Sequence, residues 1–263
     1  MTSLIGQKSK IVFVGGVVLA VSLLSNAASG QEALVPGIAF ELGGGGFLAP
    51  TYEGSRNYKV SAFPIVRFGY LALDNGFMLG GGDGQGLSVR PSFRYLGARD
   101  VAANPELAGL SDTNAAFELG GGLKYASGPY ALFADVRYGA TGHNGFVGEF
   151  GADYVLRPED NTTISVGPRV SWASGKYMDA YFSVSAQEAA ASSFGSFNAD
   201  AGIKSVGIEA AVRHDFNQNW AVEAGVGYDR LTGDASKSPI VSAGSKDQYS
   251  GTIGIVRKFN IGF

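Results

Sequence analysis

The sequence predicts an all-β protein: a transmembrane antiparallel up-and-down β-barrel of about 12 strands, with ten also compatible, after a cleaved signal peptide. Three observations lead there. From Ile38 to Phe263 hydrophobicity alternates with a period of two, so each segment has one apolar and one polar face. The polar face carries charge of both signs in nearly every segment. Aromatic residues (Tyr70, Tyr95, Tyr125, Tyr130, Tyr138, Trp172, Trp220 and Tyr228) stand at the ends of the apolar faces, where the interfacial girdles of a membrane barrel belong.

At the N-terminus, Lys8 and Lys10 precede an apolar run of 14 residues, Ile11–Leu24, followed by the small, polar stretch Ser25–Gly30. That order is the order of a secretory signal peptide, and the run falls short of the roughly 20 residues a spanning helix needs. Residues 1–30 are therefore assigned to a signal peptide, with cleavage after Ala27 or Gly30, and residues 31–263 to one barrel domain. No second apolar run of helix length follows, so a membrane crossing has to be made by strands.

Composition agrees. With 20 Lys+Arg against 23 Asp+Glu and a net charge of −3, the chain has no basic excess for nucleic acid. Forty glycines without a collagen period, beside 45% hydrophobic residues, suit many turns and closely packed strands. The absence of Cys excludes disulfides and thiolate metal sites and fits an exported chain.

Strands are expected near 38–49, 58–72, 76–80, 86–96, 113–126, 129–140, 145–156, 162–174, 177–185, 203–216, 219–231 and 248–263, the third and ninth being the weakest. The clearest alternation sets Tyr130, Leu132, Ala134, Val136 and Tyr138 against Asp135 and Arg137. The last segment puts Phe263, Ile261 and Phe259 in one phase, an aromatic terminus of the kind barrel assembly reads. Lys258 stands where that signal wants Gly, and Arg257 interrupts the apolar phase. Asp74-Asn75-Gly76 signals a tight hairpin turn, and Ser127-Gly128-Pro129, Gly142–Gly145 and Asn217–Asn219 are short polar turns. With twelve strands and periplasmic termini, the connections Pro50–Asn57, Ser185–Ala201 and Thr232–Asp247 would face outward, while Arg99–Thr113, with a helical turn after Pro105, would lie on the periplasmic rim.

The charges expected to line the lumen are Arg67, Arg90, Arg94, Glu118, Lys124, Asp135, Arg137, Glu149, Asp153, Arg169, Glu209, Arg213, Glu223 and Asp229. Similar numbers of each sign allow ion pairing inside. Substitutions there, such as Arg137→Ala or Glu209→Ala, are expected to be better tolerated than charge placed on the lipid face.

Candidate chemistry is thin. The runs Gly43–Gly46 and Gly80–Gly86 have neither GxGxxG nor GK[ST] spacing, so relief of strand crowding explains them better than phosphate binding. His143 lies in a short turn and His214 in the apolar phase of its strand. Neither shows a converging Ser and carboxylate, and two distant His make no metal cluster. Glu209 and Glu223 could face one another across a hairpin, with Arg213 beside them. Asn161-Thr162-Thr163 matches a glycosylation acceptor of no consequence in a bacterial exported protein. No catalytic residue, cofactor or metal is expected.

Five stretches, PTYEGSRNYKVSAFPIV from Pro50, ARDVAANPELAGLSDTNAAFELGG from Ala98, GPRVSWASGKYMDAYFSVSA from Gly167, AGIKSVGIEAAV from Ala201 and GVGYDRLTGDASKSPIV from Gly225, together resemble the MipA/OmpV family across nearly the whole mature chain. The resemblance implies an outer-membrane location. It also implies one of three jobs: a scaffold (MltA-interacting protein-like) for a lytic murein transglycosylase and a bifunctional murein synthase, a narrow porin-like channel for small solutes, or an adhesin. Partners would then be outer-membrane lipid and those peptidoglycan enzymes, and not nucleic acid. A scaffold's contacts would fall on the periplasmic rim, where the candidate loop offers Asn104, Pro105, Glu106, Leu107, Leu110 and Asp112. A lid over the barrel mouth is the alternative role for that loop.

Overall fold

The computed structural model describes residues 17–20, 36–75, 78–80 and 85–263. The rest of the expected signal peptide, and Gly76 of the expected turn, lie outside the described residues. The strands are β1 (Val17–Ala20), β2 (Gly37–Pro50), β3 (Tyr58–Ala72), β4 (Met78–Gly80), β5 (Gly86–Leu96), β6 (Ala116–Ser127), β7 (Tyr130–Gly139), β8 (Phe146–Glu159), β9 (Thr162–Ala173), β10 (Gly202–Asp215), β11 (Trp220–Leu231) and β12 (Asp247–Gly262). All pairings are antiparallel, in one sheet of order β1-β5-β6-β7-β8-β9-β10-β11-β12-β2-β3-β4. β1 falls within the expected leader and pairs Val17–Ala20 with Tyr95–Ser92 of β5.

The sheet curls on itself. Arg67 of β3 reaches Glu223 of β11, Arg213 of β10 reaches Glu41 of β2, and Arg94 of β5 and Lys204 of β10 both meet Glu53, just beyond β2. These pairs join strands that are not neighbours, so the charged face is the concave one. The convex face is apolar and open: Val60 is 74% exposed, Val226 64% and Val136 53%, while Arg137, one residue on from Val136, is 2% exposed. Apolar outside and ion-paired inside is the reverse of a soluble barrel and is the pattern of a membrane-spanning one.

Aromatic pairs mark the limits of the apolar band. The Tyr130 ring packs at a tilt against Tyr154 at one end of β7, with centroids 5.5 Å apart, and Tyr138 against Phe146 at the other, 5.0 Å apart. The eight-residue step between the two tyrosines spans about 26 Å of strand, or about 20 Å of height at a barrel tilt. Arg257 also finds its place. It lies on the outer face with its guanidinium over the rings of Trp220 (5.7 Å) and Phe259 (5.1 Å), an aromatic setting in which a cation at the membrane edge is stabilised.

One expected strand is corrected. Residues 177–185 do not form a strand. Gly175–Phe182 is helix α1, and its buried residues Tyr177, Met178, Tyr181 and Phe182 follow the helical spacing i, i+1, i+4, i+5 rather than a period of two. The expected third strand, 76–80, is described over β4, which pairs with Tyr70–Ala72. Ten strands of ten or more residues remain among those described: β2, β3 and β5 to β12.

That count moves the loops. Because β3 ends and β5 begins at the same end as the 128–129 turn, the connections 51–57, 97–115, 140–145, 174–201 and 232–246 all emerge at the opposite end. The tight turns 128–129, 160–161 and 216–219, and residue 263, lie at the other. The loop end holds the packed core of the molecule. One buried cluster joins Val147, Ala173, Tyr177, Met178, Tyr181, Phe182, Ala199, Leu231, Ala235 and Val241; a second joins Tyr52, Leu107, Leu110, Val184 and Ile240. Helices α1, α2 (Ala186–Ala191) and α3 (Pro239–Ala243) belong to this lid.

Candidate functional site

The lid is pinned by side chains from every long loop. Thr51 donates to the Asn104 side chain (2.9 Å), Tyr52 to Glu106 (3.3 Å), and the Ser238 hydroxyl to the Phe182 carbonyl (2.6 Å). Asp112 accepts from the Val101 amide (2.8 Å), and an antiparallel bridge joins Arg99 to Thr113. Burial and the neighbouring Glu106 carboxylate push the Tyr52 phenol up to about 12.

The candidate partner loop is therefore relocated. Asn104, Pro105, Glu106, Leu107, Leu110 and Asp112 lie at the same end as the other long loops, not on the opposite rim. Leu107 is 0% and Leu110 8% exposed, so the apolar pair is spent inside the lid rather than offered to a partner. The segment packs into the lid over the mouth opposite the tight turns.

Helix α2 locks the same loop. Ser185 and Glu188 form a reciprocal capping box, and the Glu188 carboxylate also accepts from the Ser111 amide (2.9 Å). Burial opposes ionisation of Glu188, but hydrogen bonds from Ser185 and Ser111 outweigh it and hold the carboxyl down at about 2. A depressed carboxylate contributes stability above its unfolded value, lost as the pH falls towards the folded one. Glu188→Gln is expected to cost about 1 kcal/mol locally, the size of a cap discounted for solvent screening. Protection of the amides in residues 97–115, relative to their intrinsic exchange rates, should fall at neutral pH in the variant, and in the parent only on acidification below pH 4. Equal exchange in both at neutral pH would rule this lock out.

Below the lid the lumen charges gather into networks. Arg137 donates to Glu118 (3.0 Å), Glu149 (3.0 Å) and the Ser92 hydroxyl (3.1 Å), and Ser92 donates to Asp135 (3.1 Å), which Arg90 approaches at 3.3 Å. Arg169 pairs with Asp153 (2.8 Å) and Glu209 (3.5 Å), and Arg90 and Arg169 both lie over the Phe133 ring. Nearer the turn end, Arg67 bridges Glu41 and Glu223, and Arg213 joins Glu41 and Asp215. Asp229 accepts from Ser205 (3.1 Å), and Lys124 lines the lower cavity. Glycine makes room for this. Gly120 and Gly122 stand in register with Arg137 and Asp135, and a Cβ at Gly122 would strike the Asp135 carboxylate.

Several participants are not on the list of expected lumen charges. Glu41 lies in the inward phase of β2, and alternation alone would have found it. Lys204 could not have been found that way. Alternation back from Val206 and Ile208 points it outward, but a register shift between Ile203 and Ser205 turns it in, leaving it 4% exposed against Glu53 at 2.8 Å. Glu53 itself sits in a loop, where its carboxyl, penalised by burial, is nonetheless held below the usual range by Lys204 and Arg94. His143 is a correction: a carboxylate does converge on it. It is 4% exposed, with Nε2 3.2 Å from Glu118 and Nδ1 accepting from the Gly145 amide, so both ring nitrogens are committed to fixing the turn. Nor do Glu209 and Glu223 face each other; their register partners are Gly227 and Arg213.

Among the described residues, the interior holds a larger and a smaller cavity. A cup of about 880 Å³ at the turn end is lined by Glu41, Arg67, Lys124, Asp153 and Arg213. A smaller one of about 200 Å³ lies beneath the lid, and Phe47, Glu209 and Ser250 border both.

The profile of the family described as MltA-interacting protein MipA matches residues 42–259. The chain belongs to the MipA family. In MipA-family terms the match covers most of β2 and β12, every strand between them, all of the lid and the lumen networks apart from Glu41. No curated protein matches the chain. Among solved structures it is similar to the COG4313 outer membrane channel from Pseudomonas putida F1, with 16% identity over 89% of this chain and 100% of that chain and a TM-score of 0.42. It is also similar to the N-terminal β-barrel domain of Pseudomonas aeruginosa OprF, with 13% identity over 66% of this chain and 98% of that one and a TM-score of 0.32. This MipA-family chain is an outer-membrane β-barrel protein. Membrane barrels carry short turns on the periplasmic side and longer loops outside, which puts its lid on the outer face.

Proposed function

We propose that this protein is a plugged barrel that holds a periplasmic murein-processing enzyme at the outer membrane, rather than an open pore. The lid is the observation that supports the reading most: two buried apolar clusters and a set of interloop hydrogen bonds seal the outer mouth, and ion pairs fill much of the wall beneath. A sealed barrel is poorly suited to free diffusion and well suited to anchoring. The family's description names an interaction with MltA, which supports the class of partner, a lytic murein transglycosylase, with a bifunctional murein synthase as a second candidate. Contacts then fall on the turn rim, around 128–129, 160–161 and 216–219, because the loop around Asn104 is used in the lid. The barrel acts here without catalysis of its own.

The test combines envelope crosslinking with planar-bilayer recording. A murein transglycosylase should co-purify, and the reconstituted protein should be electrically silent. Stable ohmic conductance with no murein enzyme recovered would favour the second reading, a narrow channel, which draws on the contact between the two cavities at Phe47, Glu209 and Ser250.

Replacing residues 104–111 with a short Gly-Ser turn should separate lid from anchor. The variant removes Leu107 and Leu110 from the lid cluster. It is expected to keep its partner and to gain conductance. Loss of the partner from the assembled variant would return the binding site to this loop.

A further inference from the structure

We propose that the cavity beneath the lid is a binding site for a small oxyanion, a carboxylate- or phosphate-bearing solute, received by Arg99 and Tyr181. The cavity is bordered by Arg94, Arg99 and Tyr181, and each brings a buried donor with no partner: Nε of both arginines and the tyrosine hydroxyl. Arg99 is 5% and Tyr181 3% exposed. Arg99 donates only to two carbonyls, of Tyr181 (3.2 Å) and Ser111 (3.3 Å), and among the described residues no carboxylate comes within 4.0 Å of it.

A buried guanidinium without a counter-ion is unfavourable, and proteins ordinarily pair it. Burial also pushes the Arg99 guanidinium below its ordinary value, outweighing the more distant Glu188 and Asp112 carboxylates, a penalty that a bound anion would relieve. The four carboxylates around the cavity are engaged elsewhere: Glu53 with Lys204, Glu149 with Arg137, Glu209 with Arg169 and Asp229 with the Ser205 hydroxyl. What is missing is therefore an acceptor with negative charge, and water supplies only the first of these. Guanidinium and phenol donors on one cavity suit the oxygens of a carboxylate or phosphate. The volume of about 200 Å³ lies below the range of drug-sized sites, so the solute is small. Entry is from the turn end, through the cup and past Phe47 and Ser250.

The inference does not rest on the anchoring role, and its failure would leave that role untouched. The test is calorimetric titration of the mature protein in detergent with sodium phosphate and, separately, sodium succinate at constant ionic strength. Saturable binding of at least one anion at one site per chain is expected, and the anion that binds identifies the source. Arg99→Gln should weaken it about tenfold or more, the loss of a charge-assisted hydrogen bond, and Tyr181→Phe severalfold. Lys237→Gln, at an exposed lid position, should bind like the parent. No saturable binding of either anion overturns the proposal, as does parental affinity in Arg99→Gln. Should Arg99→Gln fail to fold, as judged by loss of the gel shift between unheated and boiled samples, Tyr181→Phe decides, and parental affinity there overturns it.

Discussion

Arg137→Ala should destabilise the barrel by about 3–5 kcal/mol, the cost of leaving buried partner charges uncompensated. The side chain is 2% exposed and bridges three strands, with Glu118 on β6 and Glu149 on β8, each 3.0 Å away, and Ser92 on β5. Removing it leaves Glu118, itself 0% exposed, with His143 as its remaining close partner. Arg137→Lys should recover part of the loss, because an ammonium cannot reproduce a fork that meets three acceptors at once. Urea-induced unfolding of the barrel refolded in detergent, followed by tryptophan fluorescence and the heat-dependent gel shift, measures this. An unchanged midpoint in Arg137→Ala would show that water reaches the network and replaces the guanidinium. Period-two alternation alone suggested such tolerance, because it treats the whole inner face as wet. In the structure this part of the lumen is packed, and glycines in register bring the strands close around the charges.

The second large effect is on the opposite face. Val136→Arg should cost about 2–4 kcal/mol, as charge on the lipid-facing surface does near the bilayer midplane. Val136 is 53% exposed and stands between Gly121 and Gly148 in register, so a new guanidinium has no side chain beside it to shelter against. It also lies between the aromatic pairs Tyr130–Tyr154 and Tyr138–Phe146 that bracket the apolar band, which limits escape to the headgroups. Phe216→Arg, on an exposed residue beside the turn end, should cost much less because the interface is near. The comparison of the two variants, by insertion yield into vesicles and unfolding midpoint, is the measurement. A silent Val136→Arg with a damaging Phe216→Arg would place the membrane elsewhere on the sheet.

How far each feature could be read follows from the range of the interaction behind it. Strand identity and facing were legible because they depend on neighbours two residues apart. Tyr130 to Tyr138 declares both phases of β7 without help from the rest of the chain. The inward placement of Arg137, Glu118 and Arg213 followed from the same rule. Where a second period or a bulge intervened, the rule failed. Gly175–Phe182 carries four large apolar residues that satisfy a helix once the lid is there to receive them, and Lys204 changes face through a shift of register that has no mark in the sequence. Counting a helix as one strand and the weak segment 76–80 as another put Arg99–Thr113 at the end opposite the other long loops.

The sequence by itself determined the class of protein. Alternating apolar and charged residues, bracketed by aromatics, can satisfy every backbone group and both solvents only as a barrel in a membrane, and those are local, additive constraints. Only the tertiary structure decided which mouth is closed, that Leu107 and Leu110 are buried rather than displayed, and that Arg99 and Tyr181 meet at one cavity with donors to spare. These depend on contacts between loops far apart in the chain: Thr51 with Asn104, Ser111 with Glu188, Phe182 with Ser238. No periodicity encodes such contacts, because each loop's conformation is set by the others packed against it.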